Sequence, residues 1–428
     1  MNEAFLFYVW QFQYFNKGNL QTADGEDITV IHPGTLNSHS GPDFFNAKIK
    51  IGAMEWVGNV EIHINASHWF DHHHNVDSAY ENVVLHVVWK NDHQISRQDG
   101  SIIPTLELKS RVNEKLLLQY RRLVNNPHSI PCSPSLKNVN DITKLSMLDK
   151  AVMQRLESKA SHIQLLFEKN NNDWEQTTYE ALARNFGFKV NAEPFEQLAQ
   201  ALDYRILLKH LDQPTQVEAM LFGQAGLLEQ LWSDEYFSIL KREYSFLSKK
   251  YQLVSGKLNK AQWRFMRMRP ANFPTIRMSQ FASFLCSQQN IFSKIIECTT
   301  YQQLQSLFSV TQSEYWKFHY QFFKPVKEEI PSLGKQSIDN ILINTVVPLF
   351  VAFGKSKDDQ HYVDRAVDVL TEIEPEINAI TKQWAELGMA NESALDSQAL
   401  IELHNSFCMK RKCLDCAIGF SLMQPLLP

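Results

Sequence analysis

Residues 83–88 read Val-Val-Leu-His-Val-Val. A run so nearly continuous in apolar residues predicts a strand buried on both faces, which a chain can provide only if something packs above and below the sheet. Other short β-rich runs surround it: DITVIHPG (27–34), DFFNAKIKIG (43–52), MEWVGNVEIHINA (54–66), NVVLHVVW (82–89) and IPTLELKS (103–110). Gly, Pro, Asn and Asp punctuate them. An apolar helix, EAFLFYVWQFQYFNKG, precedes them, and SHWFDHHHNVDSAYEN (67–82) leaves room for a short helix or ordered loop before the fourth run. The order is α-β-β-β-α-β with one further strand.

From about Val112 the period changes to that of helices. DITKLSMLDKAVMQRLESKASHIQLLFEK (141–169) places apolar residues three and four apart, with Asp141 as the expected N-cap. The segment 173–186 stops at Gly187, 337–354 is apolar nearly all round and predicts a central helix, and 358–388 reads as an amphipathic helix ending at Gly388. The expected fold class is α+β. An N-terminal mixed β-sheet domain with flanking helices (1–118) precedes a mostly α-helical domain (119–428). Charged residues make up 21% and hydrophobic residues 44% of the 428, a balance that excludes wholesale disorder and supports two or three domains. No basic region precedes the short first helix and no run approaches 18 uninterrupted apolar residues. A cytoplasmic protein without signal peptide or membrane span is expected.

Two carboxylates converging from neighbouring strands make a hard oxygen site suited to Mg²⁺ or Mn²⁺. Gly41-Pro42-Asp43 opens one strand and Glu61-Ile62-His63 lies on the next. His63, two residues beyond Glu61, shares its strand face and is placed to orient or deprotonate a water, the arrangement that hydrolyses phosphodiesters. Register complicates this. A two-residue turn at Gly52-Ala53 pairs Ile49 with Trp56, Ala47 with Gly58 and Phe45 with Val60, setting Asp43 opposite Ile62 and turning Glu61 to the other face. A bulge near Phe44, or Asp43 lying just before the strand, brings the two together. The plain structural reading of the same residues is a turn cap at Asp43 and a solvated Glu61.

Nine of the fifteen histidines fall between His32 and His93. His68 and His72, spaced i, i+4, form a zinc-type pair on a helix, with His74 or Asp71 as a further ligand; a polar loop is the alternative. His86, inside the apolar run, reads as a core histidine. Between Lys241 and Arg277 ten Lys or Arg stand against one acid, Glu243, a balance of +9 that leaves −14 for the rest of a chain of net charge −5. Within it, WRFMRMRPANFPTIR interleaves Arg264, Arg267, Arg269 and Arg277 with Trp263, Phe265 and Phe273. Arg264 and Arg267 are expected on one helix face, and the segment suits a nucleic-acid partner. Its structural reading is a helix with aromatics in the core and arginines paired on the surface. At the C-terminus, Cys408, Cys413 and Cys416 fit zinc or an iron–sulfur cluster, with His404 or Cys132 as fourth ligand. Three reduced structural cysteines are the plainer alternative.

The αβββαβ order together with Gly41-Pro42-Asp43 and Glu61-Ile62-His63 resembles the core of the PD-(D/E)XK nuclease superfamily over about the first hundred residues. That resemblance implies a restriction-endonuclease-like fold with Asp43 and Glu61 as Mg²⁺ or Mn²⁺ ligands and His63 where a lysine is usual. Glu3 matches an acid that some branches carry on the first helix. Over nearly its full length, through GPDFFNAKI, GNVEIH, YENVVLHVV, EAMLFGQAGLLE, RPANFPTIR and DSQALIELHNSFCMKRKCLDCAIG, the chain resembles a bacterial domain-of-unknown-function family (number 2851), which implies no activity. The expected function is a metal-dependent nuclease acting on DNA or RNA. The alternatives are a non-catalytic nucleic-acid or protein interaction module that keeps the fold, and a zinc hydrolase centred on His68, His72 and His74.

Overall fold

The computed structural model describes residues 2–37, 39–229, 234–253 and 256–423. The chain divides into two compact units, 1–148 with 403–428, and 149–402. This differs from a division at 118, because the C-terminal segment folds back among the N-terminal elements and its last helix, Ala417–Met423, packs on α3 (Glu114–Val124).

The first unit is built on a mixed sheet of β1 (Ile28–His32), β2 (Thr35–Leu36), β3 (Phe44–Ile51), β4 (Met54–Asn65), β5 (Val83–Lys90) and β6 (Thr105–Glu107). The spatial order is β1-β3-β4-β5-β6, with β2 pairing onto β3. β3 pairs antiparallel with both β1 and β4, whereas β4, β5 and β6 pair in parallel. Parallel pairing needs a crossover, and between β4 and β5 it is supplied by the single-turn α2 (His68–Asp71) and two 3₁₀ turns. Residues 83–88 of β5 are all buried, as their composition requires. Helix α1 (Glu3–Gln11) is capped by the Asn2 side chain, which accepts from Phe5 N. It buries Phe5, Leu6, Tyr8, Val9 and Trp10, packs on β4, and holds Glu3 in its first turn.

The hairpin between β3 and β4 turns at Gly52 (φ +56) and pairs Ile51 with Met54, Ile49 with Trp56 and Ala47 with Gly58, the register the sequence implies. Beyond Ala47 the register shifts. Phe44, not Phe45, sits opposite Val60, so β3 carries one extra residue. Asn46 takes up the extra length at φ +57, a left-handed conformation that Asn tolerates better than most residues.

Among the described residues the second unit is helical apart from a two-stranded ribbon, His319–Gln321 with Lys324–Pro325. Among the described residues one helix, 335–357, is long and apolar enough to cross a membrane by length and composition, and most of its apolar part is buried within the protein. It is the central helix that its all-round apolarity predicts. A π turn at Leu342–Val346 comes just before Pro348 and absorbs the missing N–H and ring bulk of a proline inside a helix. Two expectations are corrected. Asn140, not Asp141, caps the helix Asp141–Lys169 by accepting from Thr143 N at 2.7 Å. The stretch 358–388 is two helices, Gln360–Glu372 and Ala379–Glu386, because Pro375 forces the residue before it out of helical geometry.

Candidate metal centre

The extra residue at Asn46 decides what Asp43 faces. With β3 advanced by one, Asp43 stands opposite Glu61 instead of Ile62, and the two side chains close the end of the ladder reciprocally. Asp43 N donates to Glu61 Oε2 at 3.1 Å, and Ile62 N donates to Asp43 Oδ2 at 2.9 Å. Glu61 is only 4% exposed, so it is not a solvated strand residue. Each carboxylate commits one oxygen to the other strand's backbone, and the second oxygen of Glu61, Oε1, faces His74 Nε2 at 3.2 Å and His63 Nε2 at 3.6 Å.

Burial drives the electrostatics. It raises the Asp43 carboxyl well above the usual carboxylate range, and the charge on Glu61 raises it further against the N–H bond from Ile62. Glu61 is raised by burial and by the charge of Glu3, against the N–H bond from Asp43. A hydrogen bond to a charged acceptor contributes about 1.5–3 kcal/mol, while burying an ion without a counter-charge costs several kcal/mol. One N–H each does not offset two ionised carboxylates in this position. The pair is stable with a proton or with a cation between them.

The histidines form a wall beside Glu61. His63 lies on β4, 1% exposed, and its Nδ1 is 2.8 Å from Nε2 of His86, which is fully buried on β5. His86 is in register with Glu61 across the parallel pair. Burial, then neighbouring imidazoles, push His63 down to about 2 and His86 down to about 3, so both rings are neutral near pH 7. His73 at φ +61 ends the turn after α2 and swings His74 inward, where it stacks on Tyr80 with ring centres 3.8 Å apart. Below them Trp69, Tyr80, Val83, Val88, Ile95 and Ile103 form an apolar floor. Each large side chain there contributes roughly 1.5–3 kcal/mol by burial, which holds the wall rigid. His74 Nε2 is buried and makes no hydrogen bond of good geometry despite its closeness to Glu61. The donor nitrogens of His63, His72 and His74 lie within 4.8 Å of one another and could hold a metal. His68 and His72 lie one turn apart, with His72 N bonded to His68 O at 3.0 Å and ring centres 6.1 Å apart, but His68 Nε2 turns to Asn65, 3.3 Å away, and stays outside the triad. His63 takes its place in the triad. Asp71 is exposed.

Cys132 joins Cys408, Cys413 and Cys416 around one small cavity, together with Pro131, Phe407 and Gly419. His404 does not line it; its Nδ1 is 3.0 Å from the Asn405 side chain. Of the arginines, Arg264, Arg267 and Arg269 are exposed. Arg277 is 5% exposed, donates to Gln280, Asn272 and Ser337, and lies over the Phe188 ring, so it holds the second unit together and cannot reach a nucleic acid. Arg264 and Arg267 share no helix face. Asn191 pins the backbone N–H and carbonyl of Arg264, and Arg267 sits at φ +61 in a turn.

His86 is the core histidine that its apolar strand predicts, and its bond to His63 backs that ring. One contributor escapes the sequence. Tyr80 carried no signal at all, because stacking partners across a loop have no fixed spacing.

No curated protein and no solved structure matches the chain. Residues 3–379 match the model of a family described as "Protein of unknown function (DUF2851)". That span includes Glu3, Asp43, Glu61, the histidines, the exposed arginines and Cys132, and it ends before Cys408. With most of its length matched, the chain belongs to the DUF2851 family of proteins of unknown function.

Proposed function

We propose that the first unit is a metal-dependent phosphodiesterase acting on nucleic acid, with Asp43 and Glu61 as the metal ligands. The observation that carries this reading is the bulge at Asn46, which sets the buried Glu61 and the half-buried Asp43 face to face at a cost the fold meets only with a proton or a cation. The order α1-β1-β2-β3-β4-α2-β5-β6, antiparallel strands followed by a parallel crossover, resembles that of a restriction-endonuclease-like core and supports the reading. Oδ1 of Asp43 and Oε1 of Glu61 are the oxygens left for a cation once the backbone bonds are made. Glu3 adds negative charge that reaches both. Imidazole nitrogens beside these oxygens favour Mn²⁺ over the harder Mg²⁺. Bound there, the metal would neutralise charge on a phosphodiester and activate a water.

His63 supplies the position usually given to a lysine. Its Nδ1 is paired with His86 and its Nε2 lies 3.1 Å from His72 Nδ1 and 3.6 Å from Glu61 Oε1, so His63 would position a water beside Glu61 rather than carry its proton away. The exposed Arg264, Arg267 and Arg269 would contact phosphates of the nucleic acid. A second reading rests on the triad of nitrogens: His63, His72 and His74 could hold Zn²⁺ with Glu61 alongside.

The test is cleavage of labelled single- and double-stranded DNA and RNA with Mn²⁺, Mg²⁺ or Zn²⁺. The proposal expects Mn²⁺-supported cleavage that falls at least 100-fold in both Asp43→Asn and Glu61→Gln, with His72→Ala retaining most of it. Zinc-supported cleavage lost in His72→Ala and kept in Asp43→Asn establishes the triad instead. No cleavage on any substrate from folded protein that binds nucleic acid leaves a non-catalytic module.

A further inference from the structure

Four cysteines from two distant stretches meet in the first unit. Cys132 precedes the 3₁₀ turn Ser133–Asn138, Cys408 ends the π turn Leu403–Cys408, and Cys416 precedes the helix Ala417–Met423, with Cys413 in the loop between. None of the four is in a disulfide, and all are 6–7% exposed. The loop that gathers them is built for the purpose. Arg411 at φ +53 reverses the chain, Lys412 N returns to Phe407 O at 2.9 Å, and the Arg411 guanidinium donates to His128 O at 2.9 Å, tying the loop to the stretch that carries Cys132. Gly419 admits the close approach of the last helix: a Cβ there would lie 2.1 Å from Cys413 O.

The spacing chooses between metals. Tetrahedral zinc lies about 2.3 Å from each sulfur, which puts the sulfurs roughly 3.8 Å apart. Among the described residues only the triad of His63, His72 and His74 brings three such donor atoms within 4.8 Å of one another, so no three of these sulfurs do. The four sulfurs line one small cavity together. A cubane cluster, in which each cysteine ligates a different iron, keeps the sulfurs further apart around a central space. The thiols also sense one another: burial and then Cys132, Cys416 and Cys413 raise the Cys408 pKa, while Arg411 opposes the rise.

We propose that Cys132, Cys408, Cys413 and Cys416 ligate a [4Fe–4S] cluster that fastens the C-terminal segment to the body of the first unit. This proposal is independent of the phosphodiesterase reading.

The test is iron, acid-labile sulfide and zinc analysis of full-length protein produced with ample iron and purified without oxygen, followed by reconstitution of stripped protein with ferrous iron and sulfide. The expected result is about four iron and four sulfide per chain, with visible charge-transfer absorbance that bleaches on reduction. Cys132→Ser and Cys408→Ser should each lower the iron content roughly tenfold, while Cys298→Ser, at a half-buried cysteine elsewhere, leaves it unchanged. Stoichiometric zinc without sulfide overturns the proposal, as does wild-type protein that takes up no iron on reconstitution. Both results come from wild-type protein, so a variant that fails to fold does not decide the matter.

Discussion

Asp43 and Glu61 occupy a position that is unfavourable for a metal-free protein at neutral pH, and that is their clearest signature. A carboxyl whose folded pKa is raised stays protonated in the folded state while its unfolded counterpart ionises near pH 4. Stability is therefore fully present below that pH and is lost as pH rises towards the raised value. Asp43→Asn keeps an oxygen for Ile62 N and removes the ionisable group. Its stability relative to wild type should be near zero at pH 4 and rise to about 1–3 kcal/mol at pH 8, read by urea unfolding without metal. Mn²⁺ should raise the Tm of wild type at pH 8 and leave the variant unmoved; a gain equal at both pH values would contradict the assignment. The histidines act in the opposite sense. His63 and His86 have lowered folded values, so their contribution is complete above about pH 6.5 and is lost as pH falls towards 3. His86→Leu should flatten the acid limb of the stability curve by up to about 1.4 kcal/mol per pH unit between pH 6 and 4. An unchanged slope would show that His86 already titrates normally.

Among the elements, β3 is the one that makes the site. Its turn and inner register follow from alternation alone, since Ala47, Ile49 and Ile51 are buried and their neighbours are not. The bulge does not follow from alternation, because the Phe44-Phe45 pair supplies an apolar residue in either register. Only the demand that Asp43 meet Glu61 suggested it, and Asn46, tolerant of a left-handed backbone, was the local trace. Asn46→Gly should be neutral within about 0.5 kcal/mol, whereas Asn46→Val, β-branched at positive φ, should cost about 1–2 kcal/mol. Deleting Asn46 should restore uniform pairing, return Asp43 to face Ile62, and abolish Mn²⁺-dependent stabilisation while the circular dichroism spectrum stays that of wild type. Retained stabilisation would mean that Asp43 is not a ligand. The basic segment departs from its spacing for a related reason: the spacing implies a helix face for Arg264 and Arg267, but side-chain bonds from Asn191 to the Arg264 backbone hold the chain out of a helix there.

At the scale of the whole molecule, the change from β to helical periodicity was legible and the grouping of segments was not. Nothing in local pattern says that residues 403–428 belong with the first unit; that follows from tertiary packing of Ala417–Met423 and the cysteine loop. The arginines divide by burial, not by sequence neighbourhood. Replacing Arg264, Arg267 and Arg269 together by Ala should lower the salt slope of nucleic-acid binding by about two to three and leave Tm unchanged. Arg277→Ala should instead cost about 3 kcal/mol, since it leaves Gln280, Asn272 and Ser337 without their buried donor. An unchanged salt slope in the triple variant would remove these residues from any nucleic-acid surface. The central claim is that the bulge gathers Asp43 and Glu61 into a metal site beside the histidine wall, and its most direct test is an anomalous difference map from crystals soaked in Mn²⁺. The account predicts a peak within about 2.5 Å of carboxylate oxygens of both Asp43 and Glu61. A saturating soak that gives no peak there, or one held by His63, His72 and His74 without Asp43, would contradict it.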